Sequence, residues 1–148
     1  MHATALSRLI AAAESWRGTP FHPHARIKGV GVDCVQLAVA LYAEAGLIAP
    51  DVPLPSYRLD AAEYLSRSLV LDWLRSRPEL VEATAPWQPA DVLTFRVPGV
   101  PHHVGILLAD DEFCHVLRHD SVRCSRLSDP TWSRRLGPVF RHRLFGGV

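Results

Sequence analysis

Asp33-Cys34-Val35-Gln36-Leu37-Ala38-Val39-Ala40-Leu41-Tyr42-Ala43-Glu44-Ala45 sets the reading of the first half of the chain. Leu37, Ala38, Leu41, Tyr42 and Ala45 form one stripe at helical spacing, and Gly46 stands where a left-handed cap belongs. The segment therefore reads as a helix from Asp33 or Cys34 to Ala45. Its small residues, Ala38, Ala40, Ala43 and Ala45, permit close packing. Toward the N-terminus, Leu6, Leu9, Ile10, Ala13 and Trp16 predict a second amphipathic helix over 3–16, closed by Gly18 and Pro20. Between the two, Phe21 to Val32 carries His, Gly and basic residues with no sustained period and reads as a loop. Beyond Ala45, Pro50, Pro53 and Pro55 exclude helix from residues 48–59. A third helix follows over 61–75, with Leu65, Leu69 and Trp73 inward.

The period then changes. Val92 to Val97, His103 to Leu108, Glu112 to Leu117, Ser121 to Leu127 and Val139 to Leu144 are short β-branched or aromatic runs between turn residues, which suggest a meandering antiparallel sheet. Helices first and strands second predict an α+β fold, with N-terminal helices packed on a C-terminal antiparallel sheet. The 148 residues fit one domain, 1–148, and hence one active site.

Apolar residues make up 48% and charged residues 21%, enough to close a core. A formal charge of +1 gives no whole-molecule field for nucleic acid or an anionic membrane. The first fourteen residues lack the basic stretch and long apolar run of a secretory signal, and no segment is apolar enough to span a bilayer. The expectation is synthesis in the cytoplasm, with any action outside needing another export route. Three cysteines cannot all pair, so at least one thiol is free.

Cys34 stands at a helix start, where unpaired N–H groups and the helix dipole favour a thiolate, the nucleophilic form. Gly29-Val30-Gly31 ahead of it would let a ligand approach. The same position also fits a buried cysteine packing as a small apolar residue. His102 and His103 begin a strand and must point to opposite faces, so only one can serve the thiol. His103 is favoured because Gly105, on the same face, has no side chain to block a substrate. His115 on the next strand could hold the His103 imidazole in one tautomer. That pairing carries a condition: 103 plus 115 is even, so the connecting turn must have an odd number of residues or a bulge. A plain two-residue turn at Asp110-Asp111 would separate the histidines. His22, His24, Arg26 and Lys28 make a basic patch before Cys34, which suits an anionic substrate and equally a solvated loop. A zinc set of His22, His24, Cys34 and His103 lacks the usual paired spacing, so neither metal nor cofactor is expected. Cys114 and Cys124, on neighbouring predicted strands, could meet or remain separate thiols. Trp73, Trp87 and Trp132 read as packing.

Trp16-Arg17-Gly18-Thr19-Pro20-Phe21 and Gly29-Val30-Gly31-Val32-Asp33-Cys34 resemble the nucleophile segment of NlpC/P60 peptidases. Asp91-Val92-Leu93-Thr94-Phe95, His103-Val104-Gly105-Ile106 and Phe113-Cys114-His115 are similar to that family's base and third-residue strands, in the same order. The stretch His24-Ala25-Arg26-Ile27-Lys28-Gly29 resembles the short peptidases of phage tails and gene transfer agents. The resemblance implies a papain-like fold, a Cys34/His103/His115 triad without a cofactor, and hydrolysis of amide bonds in peptidoglycan stem peptides, of the γ-D-Glu–diamino acid type. Phe21, His22, His24 and Asp33 are then the residues assigned to substrate contact. In a phage setting the protein would aid wall penetration. Phe21 stands where the family carries Tyr, Val35-Gln36 where it carries Ser-Gly, and Ala90 where it carries Gly. These departures leave two alternatives: a catalytically weak tail-assembly or adaptor protein, or acyl transfer or hydrolysis on another small amide or lipid.

Overall fold

The computed structural model describes residues 2–57, 68–96 and 101–146. The first helix, α1 (His2–Trp16), buries Leu9, Ala12, Ala13 and Trp16, whereas Ile10, predicted in the inward stripe, is 45% exposed. A two-stranded hairpin, β1 (Arg26–Ile27) and β2 (Gly31–Val32), interrupts the segment read as a loop. It hands the chain to α2 (Cys34–Glu44), which ends at Ala45 with Gly46 at φ +77°. The third helix, α3 (Leu69–Ser76), starts at the Ser68 cap, whose Oγ accepts from the Leu71 N–H at 3.1 Å. It buries Val70 and Leu74. The most buried positions therefore sit one residue after the predicted Leu69 and Trp73, although Trp73 still packs partly against the core. Residues 61–67 of the predicted helix, with Leu65, lie outside the described residues.

The second half forms a six-stranded antiparallel sheet in the order β3-β8-β4-β5-β6-β7. Its strands are β3 (Leu80–Ala83), β4 (Val92–Arg96), β5 (Pro101–Ala109), β6 (Glu112–His115), β7 (Arg123–Arg126) and β8 (Leu136–His142). Strands β4 to β7 meander as expected. The last strand departs from the meander: β8 returns beside β4 and pairs with β3, a strand with no clear sequence signal. Two short helices flank β8, α4 (Pro130–Ser133) and α5 (Arg143–Gly146).

Strand alternation divides the core in two. Val92, Val104, Ile106, Cys114 and Phe140 pack with the helices in one cluster. Leu93, Phe95, Leu107, Phe113 and Val139 form a second on the other face, against Trp87, Trp132 and Leu136. The sheet is therefore covered on both faces, by helices on one and by two tryptophans on the other.

Candidate active site

Cys34 is the first residue of α2. Asp33 caps that helix, its Oδ1 accepting from the Gln36 N–H at 2.8 Å. The other oxygen, Oδ2, accepts from the His24 N–H at 2.6 Å and the Tyr57 hydroxyl at 2.7 Å. A carboxylate with no exposed surface thus ties three chain segments together directly before Cys34.

The Cys34 sulfur meets the backbone of β5 on either side of His103. Sγ lies 4.0 Å from the His102 carbonyl oxygen, and the Val104 N–H points toward the thiol and favours its anion. The side chain is 4% exposed. Burial, and after it the Asp33 carboxylate, pushes the thiol up to about 12, against the N–H groups of Val104, Val35 and Cys34 itself. The sequence expectation of a lowered value is therefore corrected. The helix-start N–H groups act in the expected direction, but desolvation of a fully enclosed sulfur outweighs them. The expected role of Gly31 is corrected as well. A Cβ at Gly31 would lie 2.7 Å from the His22 Cβ, so its missing side chain makes room for His22 and not for a ligand.

The two strand histidines meet. His103 Nε2 lies 2.8 Å from His115 Nδ1, and His115 Nε2 lies 2.7 Å from Ser125 Oγ on β7. The condition set by their numbering is met by a bulge. Ile106 opposes Cys114 and Leu107 opposes Phe113, but Ala109 opposes Glu112, so an extra residue at Leu108 restores parity despite the two-residue turn Asp110-Asp111. A second bulge falls at His102, between the pairs Phe95–His103 and Arg96–Pro101. Gly105 serves packing: a Cβ there would lie 2.8 Å from Phe113 Cδ2.

One tautomer chain satisfies all three groups. If His103 Nε2–H donates to His115 Nδ1, then His115 Nε2–H donates to Ser125 Oγ, and His103 Nδ1 keeps its lone pair for a proton. Trp132 lies against both rings, its centroid 5.6 Å from His103 and 4.9 Å from His115, and Phe95 lies 5.7 Å from His103. Burial, then His115, holds His103 down to about 3. Burial, then Arg123, holds His115 down to about 4. The resting site holds a neutral thiol against the β5 backbone and two neutral imidazoles in contact with each other.

The residues ahead of Cys34 divide. His24 is exposed, with φ at +62° and its ring 4.6 Å from Tyr57. His22 is exposed nearby, its backbone N–H donating to the Val32 carbonyl at 3.1 Å. Phe21 bridges Val32 through its backbone and packs its ring on the core. Arg26 and Lys28 are committed elsewhere: Arg26 to Gln36 at 2.9 Å and the Pro50 carbonyl at 2.9 Å, Lys28 to Glu44 at 3.2 Å and the Trp16 ring. Sequence reasoning missed Tyr57, Ser125 and Trp132, whose roles arise from contacts far apart in the chain.

Among the described residues, no group of three or more His, Cys, Asp or Glu side chains is arranged to hold a metal ion, and no helix is long and apolar enough to cross a membrane.

Comparison with known proteins supplies the family. Residues 15–141 match the model of the NlpC/P60 family. The structure is similar to that of an NlpC/P60 family protein from Bacillus cereus ATCC 10987, at 19% identity and a TM-score of 0.64 over 93% of this chain and 40% of that one. It is similar to the NlpC/p60 domain of the peptidoglycan hydrolase SagA, at 16% identity and 0.61, over 92% and 97% of the two chains. It is also similar to RipD from Mycobacterium tuberculosis, described as a non-catalytic NlpC/p60 domain protein adapted to peptidoglycan binding, at 19% identity and 0.57, over 94% and 97%. The chain spans about two fifths of the Bacillus cereus protein. Comparison with curated proteins returns no match. The Cys34 and His103–His115 segments both fall inside the matched span, on an α+β architecture with helices first and an antiparallel sheet second, and the chain belongs to the NlpC/P60 family.

Proposed function

We propose that the protein is a cysteine hydrolase that cuts amide bonds in peptidoglycan stem peptides, with Cys34 as nucleophile, His103 as base and His115 as the residue orienting it. The observation that carries this reading is the continuous line of groups from Ser125 through His115 to His103, with the Cys34 sulfur against the backbone flanking His103. As the sulfur attacks the carbonyl carbon, His103 Nδ1 takes the thiol proton and the backbone N–H of Cys34 faces the developing oxyanion. The imidazolium then protonates the leaving amine, and the acyl-enzyme is hydrolysed by water activated by the same base. Because burial keeps both partners neutral at rest, the proton moves during attack and not before it.

His22 and His24, exposed ahead of Cys34, and the half-buried Phe21 are assigned to the stem peptide, and the buried Asp33 acts only by holding the segment that carries His24. The bond is assigned as γ-D-Glu–diamino acid and the setting as a phage tail or similar wall-penetrating particle, on the likeness of residues 24–29 to such peptidases. Cys34→Ala should abolish release of peptide from purified sacculi while leaving the unfolding midpoint nearly unchanged. Undiminished release by that variant would overturn the reading.

A second reading, a non-cutting wall-binding or adaptor protein, is favoured by the enclosed, proton-holding thiol and by the non-catalytic character of the similar RipD. Sacculus pull-down with retention, and no released peptide from the unaltered chain, would decide for it.

A further inference from the structure

Two thiols outside the candidate site stand directly opposite each other. Cys114 on β6 is the register partner of Cys124 on β7, and both are free. Directly opposed residues of an antiparallel pair have Cα atoms about 4.5–5.5 Å apart, within the roughly 4.4–6.8 Å that a disulfide spans. The surroundings of the two thiols differ. Cys114 is buried on the helix-facing side of the sheet, whereas Cys124 is partly exposed and Arg17 Nη2 lies 3.4 Å from its sulfur.

We propose that Cys114 and Cys124 are a redox-active dithiol that closes to a cross-strand disulfide by exchange with a low-molecular-weight disulfide. Cys124 is the entry thiol. The neighbouring Cys114 thiol and, after it, the Arg17 guanidinium hold Cys124 below the usual thiol range, while Cys124 and burial hold Cys114 above that range. The Cys124 thiolate attacks one sulfur of the small disulfide, breaks the S–S bond and releases one thiolate, leaving a mixed disulfide. Cys114 then loses its proton to the medium and attacks the Cys124 sulfur of that intermediate. The second small thiolate leaves and the Cys114–Cys124 bond forms. Each small disulfide is reduced to two thiols, and the protein dithiol is oxidised by two electrons.

The site is independent of the hydrolase reading, because Cys34 takes no part. The test incubates the full chain, and separately its Cys34→Ala variant, with oxidised glutathione, followed by intact-mass analysis and non-reducing peptide mapping. Both should yield a peptide pair linking Cys114 to Cys124, reversed by reduced glutathione. Cys114→Ala should stop with glutathione on Cys124, and Cys124→Ala should leave Cys114 unmodified under native conditions. Arg17→Gln should slow the reaction several-fold without changing its product. A reaction of the unaltered chain that stops at glutathionylated Cys124, or leaves both thiols reduced, would overturn the proposal. The wild-type mapping decides this even if a variant fails to fold.

Discussion

His103 Nε2 and His115 Nδ1 face each other at 2.8 Å across two neighbouring strands, and the contact exists because Leu108 is bulged out between them. The second imidazole is tied in turn to Ser125 Oγ at 2.7 Å. The first ring is thereby left with one nitrogen for chemistry, and three residues on three strands fix which nitrogen it is.

If that line orients the base, its members should matter in order of distance from the sulfur. In hydrolysis of stem peptides, His103→Ala should be as inactive as Cys34→Ala, and His115→Ala should lower kcat about a hundredfold. Ser125→Ala removes one hydrogen bond and should lower kcat about fivefold, with Ser125→Thr restoring it. Equal activity of Ser125→Ala and the unaltered chain across the pH profile would remove Ser125 from the line.

The two buried imidazoles predict a particular acid sensitivity. Each titrates near 6.5 in the unfolded chain, but at about 3 (His103) and about 4 (His115) in the folded one. The unfolded state therefore binds more protons between those values, and stability present above about 6.5 is lost as pH falls toward the folded values. Thermal unfolding followed by circular dichroism should show a flat midpoint above neutrality and a decline through this acid window. His103→Gln should reduce the slope; an unchanged slope would mean other groups carry it.

Tyr57 is expected to fasten the start of the helix that carries Cys34. Its hydroxyl is one of three donors to the buried Asp33 carboxylate, alongside the His24 and Gln36 N–H groups. Tyr57→Phe should cost about 1–2 kcal/mol of stability, measurable by urea denaturation. It should also lower kcat with little change in KM, because Cys34 is the next residue. A variant as stable and active as the parent would assign Tyr57 to packing alone.

A thiol pushed up to about 12 should resist alkylation. Iodoacetamide should modify Cys34 more slowly than a free cysteine peptide at neutral pH, with the rate rising about tenfold per pH unit while the fold holds. Mass mapping separates Cys34 from Cys124, which should react first. Rapid neutral-pH labelling at Cys34 would instead show a preformed thiolate–imidazolium pair.

What the sequence revealed tracks how local each determinant is. The helices over 2–16 and 34–44 were legible because Leu9, Ala13 and Trp16, and Leu37 and Leu41, repeat at helical spacing and glycines follow both ends. The meeting of His103 and His115 is legible because their motifs lie in order on neighbouring strands, and the parity of 103 and 115 requires the bulge once the turn has two residues. Strand Leu80–Ala83 was not, since four residues without clear alternation become a strand only when β8 lies beside them. Ser125 and Tyr57 carry no local signal. Ser125 meets a residue ten positions away and Tyr57 one twenty-four away. The Cys34 protonation state is not legible, because a sequence displays a helix start but not how completely the fold closes over it.

The extra residue at Leu108 has a consequence for how this hairpin tolerates change in length. Adding or removing one residue between Leu107 and Phe113 turns the second imidazole to the opposite side of the sheet, whereas a change of two preserves its aim. Working variants of this turn should therefore differ from one another by even numbers of residues, a counting rule that selection from a randomised-length library would expose directly.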